Sequence, residues 1–83
     1  MILNRIRLSR RIIAALGDAH ELANRTDSGD LAAKFSALQG EACRDLGDVV
    51  CNAYNNGGIA EPDARSALRP IYSTRHEDQQ TNS

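Results

Sequence analysis

The sequence predicts an all-α fold: an antiparallel helical hairpin followed by a short third helix. Three observations carry that reading. Residues 2–25 and 28–55 both repeat apolar side chains at helical spacing. The break between them is about four residues long, which makes the two helices antiparallel neighbours. Asn55-Asn56-Gly57-Gly58 then forms the strongest stop signal in the chain.

In the first helix, Ile2, Ile6, Leu8, Ile12, Ile13, Leu16, Ala19 and Ala23 share one face. Arg5, Ser9 and His20 intrude on it. Ser9 and His20 occupy seam positions, where a polar residue costs stability but can fix register or oligomer state. His20 reads as a partly buried, hydrogen-bonded residue. Leu3 and Leu22 lie off the face. At the break, Asp27 or Ser28 is suited to cap the second helix, and Asp30 follows in its first turn.

The second helix carries its main apolar stripe on Leu31, Phe35, Leu38, Ala42, Leu46, Val49 and Ala53, flanked by Ala32 and Val50. Lys34, Glu41, Arg44, Asp45, Asp48 and Asn52 form the polar face. Between the two runs a strip of small residues that includes Ser36, Gly40, Cys43, Gly47 and Cys51. A glycine inside a helix costs roughly 1 kcal/mol relative to alanine. Two on one strip point to close approach of another backbone, from this chain, a second copy or a foreign partner. This strip is the expected partner or dimer interface.

A short third helix is expected over residues 61–69, with Pro62 at its start, acids in its first turn and Pro70 at its end. Leu68, Ile71 and Tyr72 are placed to fold back over one end of the hairpin. Residues 73–83, STRHEDQQTNS, contain no apolar side chain and read as a disordered polar tail, leaving residues 1–72 as a single helical domain.

The core is thin. A chain of 83 residues buries only about 60–65% of the surface it exposes when unfolded. Ile, Leu, Val and Phe number 17, against 12 Ala, so the helices must approach closely or a second chain must add apolar surface. Disulfide support is unavailable within one helix: Cys43 and Cys51 are separated by roughly 12 Å of rise. Two cysteines without CxxC or nearby histidine predict reduced thiols in a cytoplasmic protein, with no metal. Dimerisation, giving a four-helix arrangement, is the expected support.

Charge is segregated. Residues 1–25 carry Arg5, Arg7, Arg10, Arg11 and Arg25 against Asp18 and Glu21, a balance of +3. Residues 26–55 carry Asp27, Asp30, Glu41, Asp45 and Asp48 against Lys34 and Arg44, a balance of -3. In the hairpin, Arg5, Arg7, Arg10 and Arg11 come level with Asp45 and Asp48, forming a charged contact edge. The same arginines are the residues a nucleic-acid-binding module would use. A pI near 6.0, the lack of basic residues interleaved with aromatics and the absence of helix-turn-helix spacing favour charge pairing instead.

Chemistry finds no motif. The acids lie on a solvated helix face, no Gly-rich phosphate loop carries a Walker lysine, and no nucleophile pattern is present, so neither catalytic residues nor cofactors are expected. The longest apolar run, Ile12 to Leu16, is far short of the roughly 18–20 residues of a membrane span. The Arg-rich, acid-free first seventeen residues suit a transit peptide in composition, but serve better as a core helix. Nine Arg to one Lys suggests GC-rich coding of bacterial or phage type. The layout is similar to small helical dimers encoded by bacteria, plasmids and phages. The function expected is that of a regulatory or accessory protein, such as an inhibitor or anti-activator, acting by protein–protein binding. A nucleic-acid-binding module and a structural subunit or chaperone of a larger assembly are the alternatives.

Overall fold

In a computed structural model, which describes residues 2–71, the chain forms three helices and no strand among those residues: α1 (Ile2–Arg25), α2 (Gly29–Asn55) and α3 (Glu61–Ala67). Tyr72 and the tail expected over residues 73–83 lie outside the described residues. The helical hairpin and the short third helix are as the periodicity predicts. The boundary that moves is the end of α3, at Ala67 with Leu68 as its C-cap.

The turn between α1 and α2 is set by backbone geometry, not by a side-chain cap. Asp27 adopts φ 57, the left-handed region. Its N–H bonds to the Asn24 carbonyl at 3.3 Å, and the Ser28 N–H reaches back to the Ala23 carbonyl at 2.8 Å. Those two bonds make the Schellman closure of a helix C-terminus. Asp27 therefore ends α1 and does not cap α2. Ser28 holds the N-cap position, but its side chain makes no capping bond; its hydroxyl lies 3.4 Å from that of Thr26. A β-carbon is costly in this conformation, although aspartate tolerates it better than most residues. Asp27→Gly is expected to raise unfolding stability by about 0.5 kcal/mol, measured by urea denaturation.

The same device closes α2. Gly57 has φ 75, its N–H bonds to the Tyr54 carbonyl at 3.0 Å, and the Gly58 N–H bonds to the Ala53 carbonyl at 2.7 Å. Here the glycine matches its task. Gly57→Ala is expected to cost about 1 kcal/mol in the same measurement, because the left-handed conformation must be kept for α3 to reach the core.

Two side chains cross from helix to helix and fix the register. Gln39 Nε2 donates to the Ile13 carbonyl at 3.1 Å. His20 Nδ1 donates to the Ala32 carbonyl at 2.8 Å, while the Asn24 amide lies 3.2 Å from His20 Nε2. In both crossings the two residues stand equally far from Thr26 along the chain, so one register holds over the length of the hairpin. Gly17 gives Gln39 room: a β-carbon there would lie 2.9 Å from Gln39 Nε2. The seam histidine thus makes a bond across the pair.

The core is lopsided. Ile6, Ile13, Leu46, Val50, Ile59 and Ala67 form its buried cluster, with Ile2, Ala42, Val49, Ala53, Ala64 and Ile71 packed against it. These residues sit toward the open end of the hairpin, where Ile59 and α3 close over α1 and α2. Toward the turn, the buried residues are Ala14, Ala23 and Ala32. No third element covers that half among the described residues. Leu68, expected to fold back over the hairpin, is 50% exposed, and Ile59 and Ala67 take that place. A residue just past the end of a helix points back over its last turn only if the chain reverses there; instead Pro70 follows and Ile71 packs against the core.

Candidate functional site

The small-residue strip is present as one band along α2. Ser36, Cys43 and Cys51 are exposed, and Gly40 and Gly47 half-buried. Cys43 borders a shallow groove with Gln39, Leu46 and the segment from Ala67 to Ile71, which places the strip on the side of the hairpin where α3 stands. The glycines are not used by a helix of this chain. A β-carbon on Gly47 would meet nothing within 4 Å, and one on Gly40 only the Arg44 side chain at 4.0 Å. Of the three origins for a closely approaching backbone, the described part of the same chain is thereby removed. Both thiols are free and exposed.

The four arginines do not act as one patch. Arg10 is half-buried and donates from Nη1 to the Ala67 and Arg69 carbonyls, at 2.8 and 2.9 Å. It caps the negative C-terminal end of α3 and ties that helix to α1. Arg5, Arg7 and Arg11 are exposed. At about 3.6 residues per turn Arg7 and Arg11 share one face of α1, and Arg5 points away from both. The expected ion pairs to Asp45 and Asp48 are not formed among the described residues. The pairs present there include Arg25–Glu21 at 2.6 Å and Arg65–Glu61 at 2.7 Å, each within a single helix. The residues do come level along the hairpin, as expected. Their side chains leave the helices in directions that do not meet.

A third surface emerges from side chains that helical spacing alone places on the apolar faces. Leu8 and Ile12 of α1 are 50% and 58% exposed, and Leu31 and Leu38 of α2 are 49% and 48% exposed. By helical phase in an antiparallel pair, these four side chains lie on one side of the hairpin, opposite Arg10, Cys43 and α3. Leu16 and Phe35, both half-buried, stand between them. Each helix therefore carries an apolar arc wider than one neighbouring helix can cover. The signal was in the sequence: the arc spanned by Ile13 and Leu8, or by Val50 and Leu38, exceeds what a two-helix contact buries.

Chemically, these surfaces can bind by shape and apolar contact. Among the described residues no polar or charged residue is buried, and no group of three or more His, Cys, Asp or Glu side chains is placed to hold a metal ion. No described helix is long and apolar enough to cross a membrane. Compared with family models, curated proteins and solved structures, the chain finds no match.

Proposed function

We propose that this protein is a small, non-catalytic regulatory or accessory protein of the inhibitor or anti-activator kind. It works by binding another protein chain, and does so as a homodimer in a four-helix arrangement. The observation that carries the reading is a mismatch in the described residues. Eight large apolar side chains are 45–62% exposed, while the large buried ones are Ile6, Ile13, Leu46, Val50 and Ile59. A small domain gains stability by covering such surface with a second chain. Two exposed, unbonded thiols suit the reducing cytoplasm.

The strip of Ser36, Gly40, Cys43, Gly47 and Cys51 is the surface assigned to the target. Room above Gly40 and Gly47 admits a partner backbone. Gly40→Leu is expected to leave the helical content and the dimer unchanged while reducing target capture at least tenfold. The measurement is a pull-down from a lysate of the native host, quantified by mass spectrometry for wild type and variant. Equal capture by both removes the strip from the account. The nucleic-acid reading is weaker, since Arg10 is engaged by α3 and Arg5 points away from Arg7 and Arg11. Salt-sensitive gel shifts with mixed DNA and RNA would reinstate it.

A further inference from the structure

We infer that the face of Leu8, Ile12, Leu31 and Leu38 is covered by a second copy of this chain, with the two-fold axis parallel to the hairpin. In that arrangement α1 of each copy lies antiparallel against α2 of the other. The inference rests on the homodimer reading above and adds the face and the orientation.

Two features of the molecule choose this occupant. The first is position. The face runs from Leu31 near the turn to Leu8, level with the buried cluster, on the side of the hairpin away from α3. A second hairpin laid on it covers four large apolar side chains that the described elements of one chain leave about half exposed.

The second is charge. On this side of the molecule α1 presents Arg5, with Arg11 at the outer margin. On the same side α2 presents Asp45, with Glu41 and Asp48 toward its outer margin. All five are exposed and none is ion-paired among the described residues. The hairpin register puts Arg11 level with Glu41, both equally far from Thr26, and Arg5 within two residues of the level of Asp45. A two-fold axis along the hairpin keeps those levels and brings the basic edge of one copy onto the acidic edge of the other, twice. An axis across the hairpin would lay α1 on α1 and α2 on α2 with the levels reversed, and the basic edge would no longer meet the acidic one. Complementary edges select the first geometry and oppose the second.

The test is sedimentation equilibrium at micromolar concentration, with circular dichroism to follow folding. Wild type is expected to be a dimer. The variant Arg5→Glu with Arg11→Glu, and separately Glu41→Arg with Asp45→Arg, are each expected to raise the dimer Kd roughly tenfold or more. An equimolar mixture of the two restores complementarity along both edges and is expected to form a heterodimer close to wild-type affinity. Ile12→Glu with Leu38→Glu, at exposed sites, is expected to keep its helices and sediment as a monomer. A wild-type dimer that ignores the first variant overturns the orientation. One that survives Ile12→Glu with Leu38→Glu overturns the face while leaving the homodimer reading intact. A monomeric wild type overturns both.

Discussion

Ile13→Ala is expected to cost about 2–4 kcal/mol of folding stability, the largest effect of any single substitution on the hairpin. Ile13 is 1% exposed and lies in the cluster with Leu46, Val50 and Ile59. Its neighbours come from α2 and from the α3 segment, so truncation opens a cavity where all three pieces meet. A chain of this size has roughly 4–12 kcal/mol in total, at about 0.05–0.15 kcal/mol per residue. The variant is therefore expected to be partly unfolded near body temperature, read by circular dichroism in urea. The same change at Ile12, 58% exposed and one position along, is expected to cost less than about 1 kcal/mol within a single chain. The contrast between adjacent isoleucines checks the phase of α1 directly.

Arg10→Gln is expected to release α3 while leaving the hairpin formed. Seven residues do not hold a helix alone in water, because nucleation is costly and the run is short. What holds α3 is burial of Ile59 and Ala67 together with the two Arg10 bonds to the Ala67 and Arg69 carbonyls. Hydrogen bonds to a charged group contribute about 1.5–3 kcal/mol when sheltered, and less for the part that solvent reaches. Their loss is concentrated on one marginal element. Amide hydrogen exchange over residues 61–68 is expected to accelerate at least tenfold, with residues 6–16 and 39–50 still protected. Lysine at position 10 should rescue in part, since it keeps the charge but not the fork that spans two carbonyls.

The fold was legible because its signals are local. Apolar spacing over two long segments, a short break and Asn-Gly punctuation place both long helices and the turn after α2. Less legible was which part of each apolar arc faces inward. Ile13 and Ile12, or Leu46 and Leu38, look alike to a periodicity argument, and tertiary packing selects between them. The phase is set by Ile6, Ile13, Leu46 and Val50 packing together, and by Gln39 and His20 reaching main-chain carbonyls across the pair. Gln39 carried no sequence signal, because an amide beside an apolar stripe reads as surface. Arg10 was misgrouped for a similar reason. Four arginines in seven residues look like one patch, yet Arg5 points away from Arg7 and Arg11, and Arg10 is drawn to the end of α3. Asp27 and Ser28 both suit a cap by residue type; the left-handed backbone at Asp27 leaves the N-cap position to Ser28.

The small-residue strip keeps its standing as a surface and loses one explanation, since no described helix of the chain approaches Gly47. The apolar surplus lies elsewhere, on the opposite side of the hairpin, and there the account places the second copy. Two surfaces on opposite sides allow one to serve self-association and the other a target at the same time.

The central claim, that a second chain completes this thin core, is tested most directly by the concentration dependence of thermal unfolding. Dimerisation, which draws on the folded state alone, raises the stability of that state by mass action. Across each tenfold increase in protein concentration, the midpoint followed by circular dichroism is predicted to rise by about 4 °C. A midpoint that stays constant from 1 to 100 μM, accompanied by monomeric sedimentation, would contradict the account.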